Sequence, residues 1–335
     1  MKKLLSLVLA LSLVCVFTAC GAKTAAKTEQ PVVEQPAGEN FDGSGAPDNT
    51  GVEPVPAPAP DAAPAPVSSE RPLVGLSVST QNNPFFVTLV DGARQKADEL
   101  GIDLVVVDAG DDSAKQTNDI EDLISRNVKV VIVNPVDSSA VAPVMGDVIK
   151  AGIKTISVDR GVDGQTVDCA IASDNVLGAE LATNYLVELL GEGADVAELV
   201  GVEGTSAAID RGKGFHNVAD NQLNVVASQT ANFNRAEGLS VMENILQAYP
   251  EVQGVFAHND EMALGAVEAV GDNDIVIIGF DATDDALKAV KDGKMKATVA
   301  QQPDLMGATA VENAMKLING DAVEPVIGVQ VSLVK

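Results

Sequence analysis

The sequence predicts an α/β protein of two doubly wound, Rossmann-like lobes. Two observations carry this. From Arg71 onward, short apolar runs rich in Val and Ile alternate with amphipathic stretches of helix length. About ten such runs follow Arg71, too many for one comfortable sheet, so the chain divides into two α/β lobes.

In chain order the runs are "LVGLSVS", "DLVVVDA", "VKVVIVNP", "KTISVDR", "CAIASD", "VAELVGV", "NVVASQT", "GVFAHND", "IVIIGFD" and "ATVAQQ". Continuous apolar runs suit parallel strands covered on both faces. Strand–helix alternation gives right-handed βαβ units. The linking segments carry helix signals. "PFFVTLVDGARQKADELG" has Pro in its first turn and Gly after its end, and "DSSAVAPVMGDVIKAG" behaves likewise.

Ahead of these units stand two segments of different character. Residues 1–20 read as an export signal: "MKK" is basic, Leu4 to Ala19 is uncharged and mostly apolar, and small residues precede Cys20. Residues 21–70 are dominated by Pro, Ala, Gly and acidic residues, without an apolar period. Such a stretch buries too little to offset its ordering entropy and reads as a disordered tether. Its "PVPAPAPDAAPAP" portion should be an extended, semi-rigid spacer.

Composition excludes several functions. A formal net charge of -26 opposes nucleic-acid binding, which needs a Lys/Arg surplus, and electrostatic adhesion to anionic lipid. Such a chain should be soluble and monomeric. The three cysteines, Cys15, Cys20 and Cys169, form no CxxC, so no zinc or redox pair is indicated. Cys169 lies in an apolar run and reads as a buried small residue.

In open α/β sheets ligands bind beyond the carboxyl ends of the strands. "STQNNPFF" (79–86) places Asn83, Phe85 and Phe86 there after the first run. Asn134 follows the third, and Asp159 and Arg160 the fourth. Arg211 opens the helix after "VAELVGV", and Phe233, Asn259, Phe280, Asp281 and Gln301 follow the later runs. The planar polar groups can each make two hydrogen bonds, and the two Asp balance the two Arg. No nucleophile–base pair, thiolate or His is among them. A monosaccharide fits this set: its hydroxyls pair with Asp and Arg, and its C–H faces need flat apolar plates. Phe85 and Phe86 are expected to cover one face of the ring, with Phe233 or Phe280 opposite.

At these positions the chain resembles the periplasmic ribose-binding proteins of sugar ABC transporters, from about Pro72 to the end. The motifs are "STQNNPFF", "VIVNPVDSSAV", "SVDRG", "IASDNVLG", "GTSAAIDRGKGF", "VFAHNDEMALGA", "GFDAT" and "TVAQQPD". The resemblance implies that all twelve strand-tip residues hold D-ribose or a related monosaccharide. It also implies two lobes, 71–173 plus 302–328 and 174–301 plus 329–335, joined by a three-segment hinge. The crossings are expected near Ser173-Asp174, Gln301-Gln302 and Gly328-Val329, and sugar is expected to close the lobes. ABC permease subunits, and a chemoreceptor, are the implied partners. No cofactor or metal is implied.

The N-terminus resembles a bacterial lipoprotein signal, with Cys20 as the lipidated residue. The protein is thus expected at the outer face of the cytoplasmic membrane, held by acyl chains. Two departures stand out: Phe17 where such signals usually have Leu, and His258 where the sugar-binding family commonly has a polar, non-titrating residue. His258 is expected to support the site from behind.

Three rival readings fare differently. Sugar-responsive repressors share the two-lobe core but need a basic helix-turn-helix in front, where this chain has an export signal and an acidic tether. Catalytic motifs fail: Gly191 and Gly193 precede a strand without a third Gly, "GTSAAIDRGKG" lacks P-loop spacing, and "HNDEMALG" lacks a second His. Ser206 has no neighbouring histidine, and "GDNDIVIIGFD" is no calcium loop. A ligand other than ribose, whether another sugar, a polyol or a furanose-like signalling molecule, stays open.

Overall fold

In Leu73–Val78 (β1) every residue after Leu73 is buried, as a strand covered on both faces requires. The computed structural model describes residues 71–335; the expected export signal, Cys20 and the tether lie outside the described residues. All ten apolar runs form strands.

Pro84–Leu100 (α1) follows β1 and shows why the helices sit where they do. The Asn83 side chain accepts from the Phe85 amide, Pro84 fills the first turn, and Gly101 closes the end with φ 68°. The helix buries Phe85, Phe86, Leu89, Val90, Ala93 and Ala97, an apolar stripe at helical spacing. The first lobe continues through Asp103–Asp108 (β2), Ser113–Ser125 (α2), Val130–Val133 (β3), Ala142–Lys150 (α3), Lys154–Val158 (β4) and Cys169–Ser173 (β5). The α3 helix has Pro143 in its first turn, as its segment suggested, and in the turn before it the Asp137 carboxylate accepts from the Ser139 and Ala140 amides.

The second lobe repeats the plan. It comprises Asn175–Leu190 (α4), Asp195–Val200 (β6), Ser206–Gln222 (α5), Asn224–Thr230 (β7), Arg235–Ala248 (α6), Gly254–Ala257 (β8), Asp260–Val270 (α7), Val276–Asp281 (β9), Asp284–Lys291 (α8) and Ala297–Ala300 (β10). Pro303–Asn319 (α9) then returns to pack on α1, and Val326–Val329 (β11) and Ser332–Val334 (β12) end the chain.

The sheets run β2-β1-β3-β4-β5-β11 and β7-β6-β8-β9-β10-β12, the same order twice. Each carries a core on both faces. Leu76, Leu89, Ile156 and Met306 pack under α1 and α9, while Ile120, Val131, Met145 and Val148 pack under α2 and α3. In the second lobe Phe215, Phe256 and Phe280 fill one face, and Leu199, Ile245, Met262 and Ile277 the other. Complete burial of each such side chain contributes about 1.5–3 kcal/mol. Cys169 belongs to the first of these cores.

β11 and β12 were not expected. Both are short edge strands with little buried surface, so no continuous apolar run announces them. β11 joins β5 in parallel, and β12 pairs antiparallel with β10. Since Val329 pairs with Ser173, the third passage between the sheets falls at residues 330–331, slightly beyond its expected place. The second and third passages are tied together by Gln302 Nε2, which donates to the Gln330 carbonyl at 3.1 Å.

Candidate functional site

Both sheets aim the carboxyl ends of their strands at one region, and the loops there are strained. Asp159, Phe233 and Asp281 have φ of 65°, 58° and 131°, in a region non-glycine residues rarely occupy. Such strain costs roughly 1–3 kcal/mol per residue and gathers at functional sites.

Ten of the twelve strand-tip residues line one small cavity: Asn83, Phe85, Phe86, Asp159, Arg160, Arg211, Phe233, Asn259, Asp281 and Gln301. Ala207 completes the lining; a small apolar residue at a helix start gives no sequence signal. Asn134 and Phe280 stand one layer back. The Asn134 Oδ1 accepts from the Ser79 amide and hydroxyl at 3.2 and 2.7 Å. Its Nδ2 donates to the Val158 carbonyl and to Asp159 Oδ2 at 3.2 and 3.1 Å, which leaves its amide fully occupied. Phe280 is completely buried, with the Arg211 guanidinium 3.8 Å from its ring centroid. It supports that arginine by cation–π contact. Phe85 and Phe86 meet edge to face, centroids 5.1 Å apart at 90°, so they form a corner and not one plate.

The charges are arranged in pairs. Asp159 Oδ2 lies 3.6 Å from Arg160 Nε, and Asp281 Oδ1 lies 3.8 Å from Arg211 Nη1. Burial pushes both carboxyls above the usual carboxylate range, Asp281 well above it, and pushes both guanidinium groups down. Buried ion pairs persist only when further hydrogen bonds satisfy them. Arg211 is well supplied: Nε donates to Asn175 Oδ1 at 2.9 Å and Nη1 to the His258 carbonyl at 2.6 Å. Asp281 Oδ1 accepts from Gln301 Nε2 at 2.7 Å. Arg160 donates through Nη1 to the Pro135 carbonyl at 2.8 Å, but its buried Nε has no hydrogen-bond partner, and neither does Gln301 Oε1. An unmatched donor and an unmatched acceptor thus border the same cavity.

Asn175 and the His258 carbonyl escaped the sequence reading. One is a helix residue among many, and the other acts through its backbone. Lobe contacts outside the cavity were equally invisible. The Ser138 amide donates to the Gly204 carbonyl at 2.9 Å, the Ser206 amide to Ser138 Oγ at 3.1 Å, and the Gly161 amide to Ser206 Oγ at 2.9 Å. Among the described residues no cluster of three His, Cys, Asp or Glu suits a metal ion, and no helix is long and apolar enough to cross a membrane.

A small, charge-balanced polar cavity between two like α/β lobes defines a class: cleft-type proteins that enclose a small solute. The family described as the periplasmic binding protein domain matches residues 74–322, and the chain belongs to it. It is 49% identical over 262 residues to the ribose import binding protein RbsB of Bacillus subtilis (strain 168), covering 78% of this chain and 86% of that protein. Against the D-apiose import binding protein of Actinobacillus succinogenes (strain ATCC 55618 / DSM 22257 / CCUG 43843 / 130Z) the identity is 36% over 259 residues, 75% of this chain and 84% of that one. Among solved structures, an ABC transporter solute binding protein from Bacillus halodurans C-125 with bound myo-inositol superposes with a TM-score of 0.75 at 34% identity, over 79% of this chain and 94% of that one. These relatives are import binding proteins and not enzymes, which supports the absence of catalysis expected from the sequence. As a periplasmic binding protein the chain works outside the cytoplasm.

Proposed function

We propose that this protein binds D-ribose between its lobes and delivers it to the permease of an ABC importer. One observation carries the reading: a small cavity flanked by an Asp–Arg pair from each lobe and bordered by the unmatched Arg160 Nε and Gln301 Oε1. Carboxylates and guanidinium groups pair with vicinal hydroxyls through two bonds at once. The likeness to a ribose import binding protein supports the choice of sugar. The lobes in this reading are 71–173 with 302–329, and 174–301 with 330–335. Asn83, Phe86, Asp159 and Arg160 grip from the first, and Arg211, Phe233, Asn259 and Asp281 from the second. Asn134 and Phe280 act through Asp159 and Arg211.

Thermal unfolding with D-ribose, D-apiose and myo-inositol tests the ligand. At one hundred times the dissociation constant, the true ligand adds about 2.7 kcal/mol of stability. A shift with D-apiose or myo-inositol but none with D-ribose replaces the ligand and keeps the class. That second reading has support in the D-apiose relative and in the myo-inositol complex.

Lipidation of Cys20 would hold the protein at the outer face of the cytoplasmic membrane, with residues 21–70 as spacer and a chemoreceptor as a further partner. Cys20→Ser should release the protein to the medium or leave its signal uncleaved. Wild type found free with an unmodified N-terminus rules the anchor out.

A further inference from the structure

The chain contains two histidines, His216 and His258, and both reach one buried carboxylate, that of Glu198 on β6. Glu198 and His258 are almost wholly buried. His258 Nε2 lies 2.8 Å from Glu198 Oε1, while the Gly201 amide donates to His258 Nδ1 at 3.4 Å. The neighbours therefore dictate the tautomer. Nδ1 faces an N–H and must keep its lone pair; Nε2 faces a carboxylate and must carry the hydrogen. The ring is neutral, in keeping with burial, which makes its protonation harder. Ser228 Oγ donates to Glu198 Oε2 at 2.6 Å, so both carboxylate oxygens are held.

Two routes lead from this pair to the cavity. The His258 carbonyl accepts from Arg211 Nη1 at 2.6 Å. The Gly201 amide anchors a residue on which the Phe233 ring lies: a Cβ on Gly201 would fall 2.1 Å from Phe233 Cζ. Asn259, the next residue after His258, donates through Nδ2 to the Phe233 carbonyl at 3.3 Å. Charged groups facing the pair are Arg211 and His216 from α5, and His216 is itself held by Asp220 at 2.7 Å. The nearby Asp260 carboxylate is engaged elsewhere, by Thr283 and Thr298.

We infer that Glu198 and His258 are a positioning pair, which sets Arg211 and Phe233 for the sugar through the Nε2–H tautomer of His258. The inference rests on the reading that those two residues hold the sugar. A glutamine at 258 can donate to Glu198 and accept from Gly201 without titrating, whereas a leucine of similar bulk can do neither.

The test measures D-ribose affinity by calorimetry on the mature protein. His258→Gln should bind within about 3-fold of wild type, and His258→Leu should lose about 10-fold or more, the scale of a buried donor left unpaired. Histidine 15N NMR of the wild type should show His258 as the Nε2–H tautomer while His216 titrates. Wild-type affinity in His258→Leu, an equal loss in both variants, or a His258 proton on Nδ1 overturns the inference and leaves the ribose reading intact. Should His258→Leu not fold, the tautomer and the His258→Gln affinity decide. Wild type that binds D-apiose or myo-inositol instead moves the same comparison to that ligand. Wild type that binds none of the three overturns the proposed function and the pair's role with it.

Discussion

The two lobes repeat one strand order yet hold their charges differently. β4 and β9 occupy equivalent places, and each leads to an aspartate with positive φ, Asp159 or Asp281. β3 and β8 likewise lead to Asn134 and Asn259. In the first lobe the asparagine is wholly engaged behind its aspartate, and Arg160 follows Asp159 directly with one hydrogen bond, to Pro135. In the second lobe the arginine comes from a helix and is fastened on three sides, by Asn175, the His258 carbonyl and the face of Phe280. The second lobe's arginine is thus a seat already built, and the first lobe's arginine keeps an unmatched donor for the ligand to complete. Preorganisation of one wall lowers the ordering cost of binding, while the other supplies interactions realised on closure.

Asp281→Ala attacks this comparison hardest. It removes a buried charge partner of Arg211 and the acceptor of Gln301, and should weaken sugar binding by about 2–5 kcal/mol while far-UV circular dichroism stays unchanged. Near-native affinity by calorimetry would take Asp281 out of the site.

A pH effect comes next. Burial pushes the Asp260 carboxyl up to about 6. The folded domain then keeps a proton that the unfolded chain has released, so this group's stabilisation is full below about pH 4 and is lost as pH rises through about 6. The loss is at most about 3 kcal/mol. Unfolding of ligand-free protein across that window, with carboxyl 13C NMR of Asp260, checks it; titration at the ordinary carboxylate value contradicts it.

The arginines should separate in stability. Arg211→Ala should cost the ligand-free domain about 1–3 kcal/mol in denaturant titration, because it strands Asn175 and the His258 carbonyl. Arg160→Ala should cost less and act mainly on sugar affinity. Equal stability losses would erase the contrast between seat and complement.

Smallest is the contact across the cleft. Ser206→Ala removes the acceptor of the Gly161 amide without touching the cavity lining. About 0.5–1.5 kcal/mol of closed-state stability should go with it, seen as faster sugar release in stopped-flow experiments. An unchanged release rate would show that the Gly161–Ser206 contact does not help to hold the lobes together.

Much of this was legible in the sequence because parallel strands and amphipathic helices are written in local patterns. The ten continuous runs, Pro84 and Gly101 needed no tertiary knowledge, and a strand-tip census found ten of the eleven cavity residues. The failures share a cause. β11 and β12 exist through pairing with β5 and β10, not through their own composition. Phe280 and Asn134 sit at strand tips like the rest, but which tip residues face the cavity depends on what packs over them.

Sequence by itself settled the α/β alternation, the division into two lobes, and the residue types at the strand ends, since these follow from hydrophobic period and helix punctuation. Tertiary structure alone decided that Arg211 would be clamped and Arg160 left with an unmatched Nε, that Phe85 and Phe86 would form a corner, and that Glu198 would gather both histidines. The hydrogen bonds of Arg211 with Asn175 and His258, and of Glu198 with His258, join residues 36 to 60 positions apart; they are set by how the sheets and helices come together, and no local pattern encodes them.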